Sequence, residues 1–183
     1  KSIDAGQNWF IVTKDLMVNS VFALEVDHSD PNIAFFESGG SLYKTINGGL
    51  NWSIIGDLAF TSLSHSVKDI IMDPLNSDVI YLTSQNGFYK TTDAGNNWNQ
   101  ILAGDFQEIE LHPIDNLIIY IIKVVGDKTE FYKSIDGGLT FVLKPNGWPN
   151  PASGDEQKRV EIAVTLAAPS YIYANATGAA NGG

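Results

Sequence analysis

Carboxylates are the chemically capable side chains this sequence offers in greatest number, with 21 Asp and Glu against 11 Lys and Arg and a net charge of −10. Two carboxyl groups roughly 5–10 Å apart can serve a glycoside hydrolysis as acid and base, or as acid and nucleophile. Asp57, Asp105, Asp155 and Glu156 are the acids that could take such parts, and no spacing singles out a pair among them. Other chemistries lack their residues. There is no cysteine, which removes thiol catalysis, zinc knuckles and disulfide frameworks. His28, His65 and His112 are not at metal-ligand spacing, so no metal is expected. Arg159 is the one arginine, too few to build a multi-guanidinium clamp for a substrate carboxylate. No nucleophile elbow, phosphate loop or dinucleotide fingerprint occurs, and no cofactor is expected. Trp148 stands between Gly147 and Pro149, the one Trp outside the repeated motif described below. It could stack on a sugar or hold a peptide side chain, or pack down on its own scaffold. Trp148, Asp155 and Glu156 form the candidate ligand-binding set.

The elements that must position these residues follow from composition and repeats. An apolar fraction of 44% with 17% charged residues suits a folded chain. Seventeen glycines and seven prolines favour short strands joined by tight turns. Acidity argues against nucleic acid or anionic membrane as partner, and no apolar run is long enough to span a bilayer.

The pattern Ser/Thr-x-Asp/Asn-x-Gly-x-x-Trp/Phe occurs four times. Its copies are Ser2, Asp4, Gly6, Trp9; Thr45, Asn47, Gly49, Trp52; Thr91, Asp93, Gly95, Trp98; and Ser134, Asp136, Gly138, Phe141. The acidic or amide position recurs at 4, 47, 93 and 136, intervals of 43, 46 and 43 residues. Such a period fits one four-stranded unit. Tyr43-Lys44, Tyr89-Lys90 and Tyr132-Lys133 precede three of the copies. In each copy the Asp or Asn can accept backbone N–H groups within a turn. The Gly supplies a conformation that Cβ disfavours, and the aromatic covers the hairpin. Asn47 and Phe141 keep those two jobs. The spacing does not match a calcium loop.

These motifs resemble the Asp-box (BNR) repeats of sialidases, sortilin-like propellers, xyloglucanase-like glycoside hydrolases and the photosystem II assembly-factor propeller. The likeness is greatest to the sortilin-like and xyloglucanase-like style, through Asp73-Pro74 to Tyr81 and Phe131 to Gly138. It implies an all-β fold, a β-propeller of about four blades' worth of repeats. Units are expected at about 1–13, 20–56, 66–102 and 106–144, with an incomplete blade over 158–175. A partial propeller is expected in preference to a closed four-bladed ring, with remaining blades as partners.

Strand alternation puts the motif turns on the same face as the turns at Asp30-Pro31, Asp73-Pro74 and His112-Pro113. Binding residues are then expected on the opposite face, in the connections 14–20, 57–66, 103–105 and 145–157, since scaffolds hold function on loops. The resemblance implies a non-catalytic segment of an exported protein, extracellular or at the cell surface (periplasm or outer surface in a bacterium), recognising protein or carbohydrate. The alternative it implies is part of a xyloglucanase-like glycoside hydrolase whose cleft needs further blades. No nucleic-acid partner and no membrane insertion are expected.

Overall fold

Short runs of β-branched and aromatic residues, punctuated by Gly, Pro and Asn, bury an apolar face most readily as strands. The computed structural model describes residues 1–14, 16, 18, 21–56, 67–149 and 156–179, and among them every regular element is a strand. The first sheet holds β1 (Val21–Val26), β2 (Ala34–Ser38), β3 (Ser41–Thr45) and β4 (Ser53–Ile55). The second holds β5 (Val67–Asp73), β6 (Asn76–Ser84), β7 (Gly87–Thr91) and β8 (Asn99–Ala103). The third holds β9 (Asp105–Leu111), β10 (Ile119–Val125), β11 (Lys128–Ser134) and β12 (Val142–Leu143). A hairpin of β13 (Glu156–Val164) and β14 (Ile172–Ala179) follows. Each sheet is an antiparallel meander in chain order. The hairpin is longer than the run of apolar residues suggests: Glu156 pairs with Ala179, so the small-residue stretch after Ala174 continues β14.

The sheets stack face to face through three apolar layers. Ala23, Phe35 and Leu42 of the first sheet meet Ile70, Leu82 and Trp98 of the second. Tyr81 and Phe88 of the second meet Phe106, Ile109 and Ile119 of the third. Tyr120 and Ile122 of the third meet Val160 and Ile162 of the hairpin. Each buried Phe, Leu or Ile contributes about 1.5–3 kcal/mol. Every layer joins consecutive units, so the architecture is held by nearest neighbours.

The motif turns join β3 to β4, β7 to β8 and β11 to β12. In each, the Ser or Thr hydroxyl donates to the Asp or Asn side chain and accepts the glycine N–H two residues beyond that side chain, as Thr91 does from Gly95 at 3.2 Å. The Asp or Asn oxygen then accepts an amide four residues on, such as Asn97 N–H to Asp93 at 2.9 Å. Both central residues are left-handed: φ is +56° at Ala94 and +87° at Gly95. Ala94 and its counterpart Ala5 are the non-glycine residues with positive φ among the described residues.

The residue between the Asp or Asn and the glycine links elements in two directions. Its N–H bonds the segment that leads into the second strand of its own sheet, or the start of that strand: Gly48 to the Asn32 carbonyl, Ala94 to Asp78 and Gly137 to Leu117, each at 2.9 Å. These bonds place the two turns on one face. Its carbonyl accepts a lysine from the preceding unit: Lys1 to Gly48 at 3.3 Å, Lys44 to Ala94 at 2.8 Å and Lys90 to Gly137 at 2.8 Å. The lysine stems lie over aromatic rings, with Lys44 Nζ 5.2 Å from the Phe35 centroid and Lys90 Nζ 5.5 Å from that of Tyr81.

Candidate functional site

The strands β1, β5, β9 and β13 are the first of each unit, and the beginnings of β1 and β5 with the middles of β9 and β13 line one cavity of about 680 Å³. Val21, Lys68, Glu108 and Arg159, one from each strand, all line it. The stack therefore curves around a shared channel. Val21, Phe22, Val67 and Lys68 stand at the beginnings of β1 and β5, whose other ends lead towards the segments that the motif turns bond, so this side of the cavity lies away from the motif turns.

Alternation along the inner strands sends polar side chains into this channel. Lys68 pairs with Asp105 across the second and third sheets, and Arg159 pairs with Glu161 along β13. Deeper groups bind neighbouring backbones. Met72 N–H donates to Glu25 at 3.0 Å, Ile109 N–H to Asp69 at 3.3 Å and Val160 N–H to the Gln107 side chain at 3.2 Å. Each acceptor thus lies one unit earlier in the chain than its donor.

Burial dominates the electrostatics of this cluster. It raises the Glu108 carboxyl to about 8, with the charges of Asp69, Glu161 and Glu110 adding to the effect. Burial, then Asp69, raises Glu110 to about 7. Asp69 rises to about 6, again chiefly through burial, with the Ile109 and Ile70 amides opposing. Glu25 is raised by burial in the same sense. Near neutral pH the channel thus holds carboxyl groups that can donate as well as accept hydrogen bonds. Phe22 stands 64% exposed at the rim and supplies an apolar surface beside them.

Of the residues singled out in the sequence, Asp105 pairs with Lys68, which lines the cavity. Glu156 is the first residue of β13. Asp57, His65 and Asp155 lie outside the described residues. His28 sits beside the turn following β1, 3.6 Å from Glu25. Trp148 lies elsewhere on the third sheet, lining a groove of about 270 Å³ with Val125, Lys128, Leu143 and Pro145. Its ring stacks on Phe131 at 5.2 Å and its indole N–H donates to the Thr129 carbonyl at 3.0 Å. The structure does not bring Trp148 into the cavity of the inner strands. Asp69, Glu108 and Glu110 read in the sequence as ordinary polar positions of alternating strands; the signals they carry there are Asp69 beside an apolar run and Glu108 and Glu110 flanking Ile109. No group of three or more His, Cys, Asp or Glu among the described residues has metal-binding geometry.

Neither a family model nor a curated protein matches the sequence. Solved structures do match. An ancestral GH74 enzyme superposes with a TM-score of 0.60 at 19% identity, covering 69% of this chain and 18% of that one. A GH74 enzyme of Niastella koreensis gives 0.54 at 19%, covering 68% and 22%. YCF48 bound to D1 peptide gives 0.53 at 16%, covering 69% and 40%. These are β-propeller proteins, and at such identities the likeness establishes the fold: this chain is all-β and a β-propeller, its sheets the blades. It spans less than half the length of each of these neighbours.

Proposed function

We propose that this chain is a β-propeller recognition segment that binds its ligand at the channel mouth, on the face away from the motif turns. One observation carries the reading: four inner strands converge on a single open cavity whose walls combine partly protonated carboxyls, two ion pairs and the exposed Phe22 ring. Such walls suit a ligand with many hydroxyl or amide groups and an apolar face, a glycan or a peptide segment, as ligand sites pair apolar surface with a few directed polar groups. The repeated turns are read as Asp boxes of the BNR type, in the sortilin-like and xyloglucanase-like style, and the protein as one working outside the cell or at its surface. Glycan-array and peptide-array binding tests this, with Phe22→Ala and Gln107→Ala as mouth variants. Binding that both variants leave unchanged would refute it.

A specific observation favours a second reading, part of a glycoside hydrolase. Asp69 and Glu108 stand on adjacent inner strands, burial raises both, to about 6 and about 8, and the Asp69 charge adds to the rise at Glu108. A pair of carboxyls with separated protonation ranges is what acid–base cleavage of a glycosidic bond requires. The neighbours that are GH74 enzymes are in keeping with it. Release of reducing sugar from xyloglucan, abolished in Asp69→Asn, would establish this reading over binding alone.

A further inference from the structure

The face that carries the motif turns is held by hydrogen bonds, yet it presents apolar side chains to solvent. In the third blade the Gly137 N–H bonds the Leu117 carbonyl, stitching the motif turn to the turn between β9 and β10. A Cβ placed on Gly137 would come 3.4 Å from a Leu117 methyl, so Leu117 lies against the motif turn. The Asn116 side-chain amide donates to the Asp73 carboxylate at 2.8 Å, which joins the same turn to the Asp73-Pro74 turn of the second blade. On this bonded frame stand Leu75, Ile114, Leu117, Ile135 and Leu139, from 52% to 81% exposed. None of them belongs to an apolar layer between blades.

The turns do not need these residues. Thr92 and Asn96 hold in the third motif copy the positions of Ile135 and Leu139 in the fourth, and the two turns close with the same bonds. Thr92 and Asn96 are exposed with a complete four-stranded sheet on either side, so solvent access belongs to the face itself. Single exposed aliphatics are ordinary, whereas five on neighbouring, bonded turns mark a surface that meets a partner. Charge narrows that partner. Asp78 and Asp115 are exposed among these turns, whereas Lys44 and Lys90 lie half-buried with their ammoniums on the Ala94 and Gly137 carbonyls. A second copy would bring the same acidic face on a chain of net charge −10, and an anionic lipid surface would be repelled as well.

We propose that this face docks a protein partner whose contact segment places Lys or Arg between aliphatic side chains. The aliphatics supply the desolvated centre, and the carboxylates supply the rim and the choice of partner. Because the turns are already bonded in place, little ordering is lost on contact. Fluorescence anisotropy of the 183-residue chain with labelled peptides tests it, one alternating Lys with Leu, one Lys with Ser and one Glu with Leu. The Lys–Leu peptide should bind about tenfold or more tightly than either of the others. The double variant Ile135→Thr with Leu139→Asn copies the third motif turn and keeps the charge, and it should weaken that binding about tenfold or more. Phe22→Ala at the channel mouth should leave it unchanged. Equal binding of the Lys–Ser peptide, or equal binding by the double variant with its circular dichroism preserved, would overturn the proposal. Self-association, or cosedimentation with phosphatidylcholine vesicles, that the double variant abolishes would also overturn it by giving the face to another occupant.

Discussion

The Lys90 ammonium of the second blade donates to the Gly137 carbonyl of the third at 2.8 Å, while the Tyr81 hydroxyl donates to the same oxygen at 3.2 Å. One carbonyl thus collects two donors from the blade before it. Removing the charge with Lys90→Met leaves the Tyr81 bond in place. A stability loss of about 1–2 kcal/mol is expected from the lost charged hydrogen bond and the ring contact. Chemical denaturation checks it, and the double variant with Tyr81→Phe should cost more than the sum of the two singles.

Thr91 has its hydroxyl buried inside the third motif turn, where it accepts the Gly95 amide and donates to Asp93 at 2.7 Å. Thr91→Val keeps the shape and removes both bonds, with the 3.2 Å bond from the Asp93 amide. The stranded Gly95 N–H should cost about 1–3 kcal/mol, read as a lowered denaturation midpoint with an unchanged slope.

Gly95 combines a φ of +87° with a site where an added Cβ would come 2.6 Å from the Ile55 methyl. Gly95→Ala should therefore cost about 2–4 kcal/mol, the left-handed conformation and the overpacked layer both contributing. Pairing it with Ile55→Val should recover part of the loss if the clash, and not φ alone, is responsible.

Stability should fall with rising pH through the channel carboxyls. Glu108, Glu110 and Asp69 have folded values raised to about 8, 7 and 6, so the folded chain holds protons that the unfolded chain has already released. Their contribution is full below the unfolded carboxylate range and is lost as pH climbs from about 4 to about 8. Thermal unfolding across that window should show a declining Tm, and Glu108→Gln should flatten the decline. A profile identical in the variant would refute this assignment.

Trp148→Ala separates packing from binding at the groove of the third blade. The ring stacks on Phe131 and bonds Thr129, so truncation should cost about 3–5 kcal/mol if it packs like a core aromatic. A loss under about 1 kcal/mol, together with weakened ligand binding, would assign it to recognition instead.

The parts of this fold most legible in the sequence are those whose signal is local. A motif turn carries its own acceptor, glycine and aromatic within eight positions, and Asp93, Gly95 and Trp98 can be read without knowing what lies beside them. The lysine contacts are different. Lys44 is visible as a residue, but its acceptor is a backbone carbonyl 50 positions away, and a carbonyl has no sequence signature. The channel is hidden for a related reason. Asp69, Glu108 and Glu110 are plain polar positions until stacking curves the blades and turns them towards a common axis, where burial changes their protonation. Asp105 is visible in the sequence as a candidate acid, yet its pairing with Lys68 depends on the approach of two sheets. Ala94 in a left-handed conformation was equally hidden, because its neighbour Gly95 already accounts for the turn.

The direction of the lysine contacts has a consequence for how the chain is made. In every case the donor precedes its acceptor, by 47 residues for Lys1, 50 for Lys44 and 47 for Lys90. At a synthesis rate of about 5–20 residues per second, each lysine emerges from the ribosome some 2–10 seconds before the carbonyl it will hold. A finished blade thus offers an ammonium and an aromatic ring on which the turn of the next blade can dock as soon as it emerges.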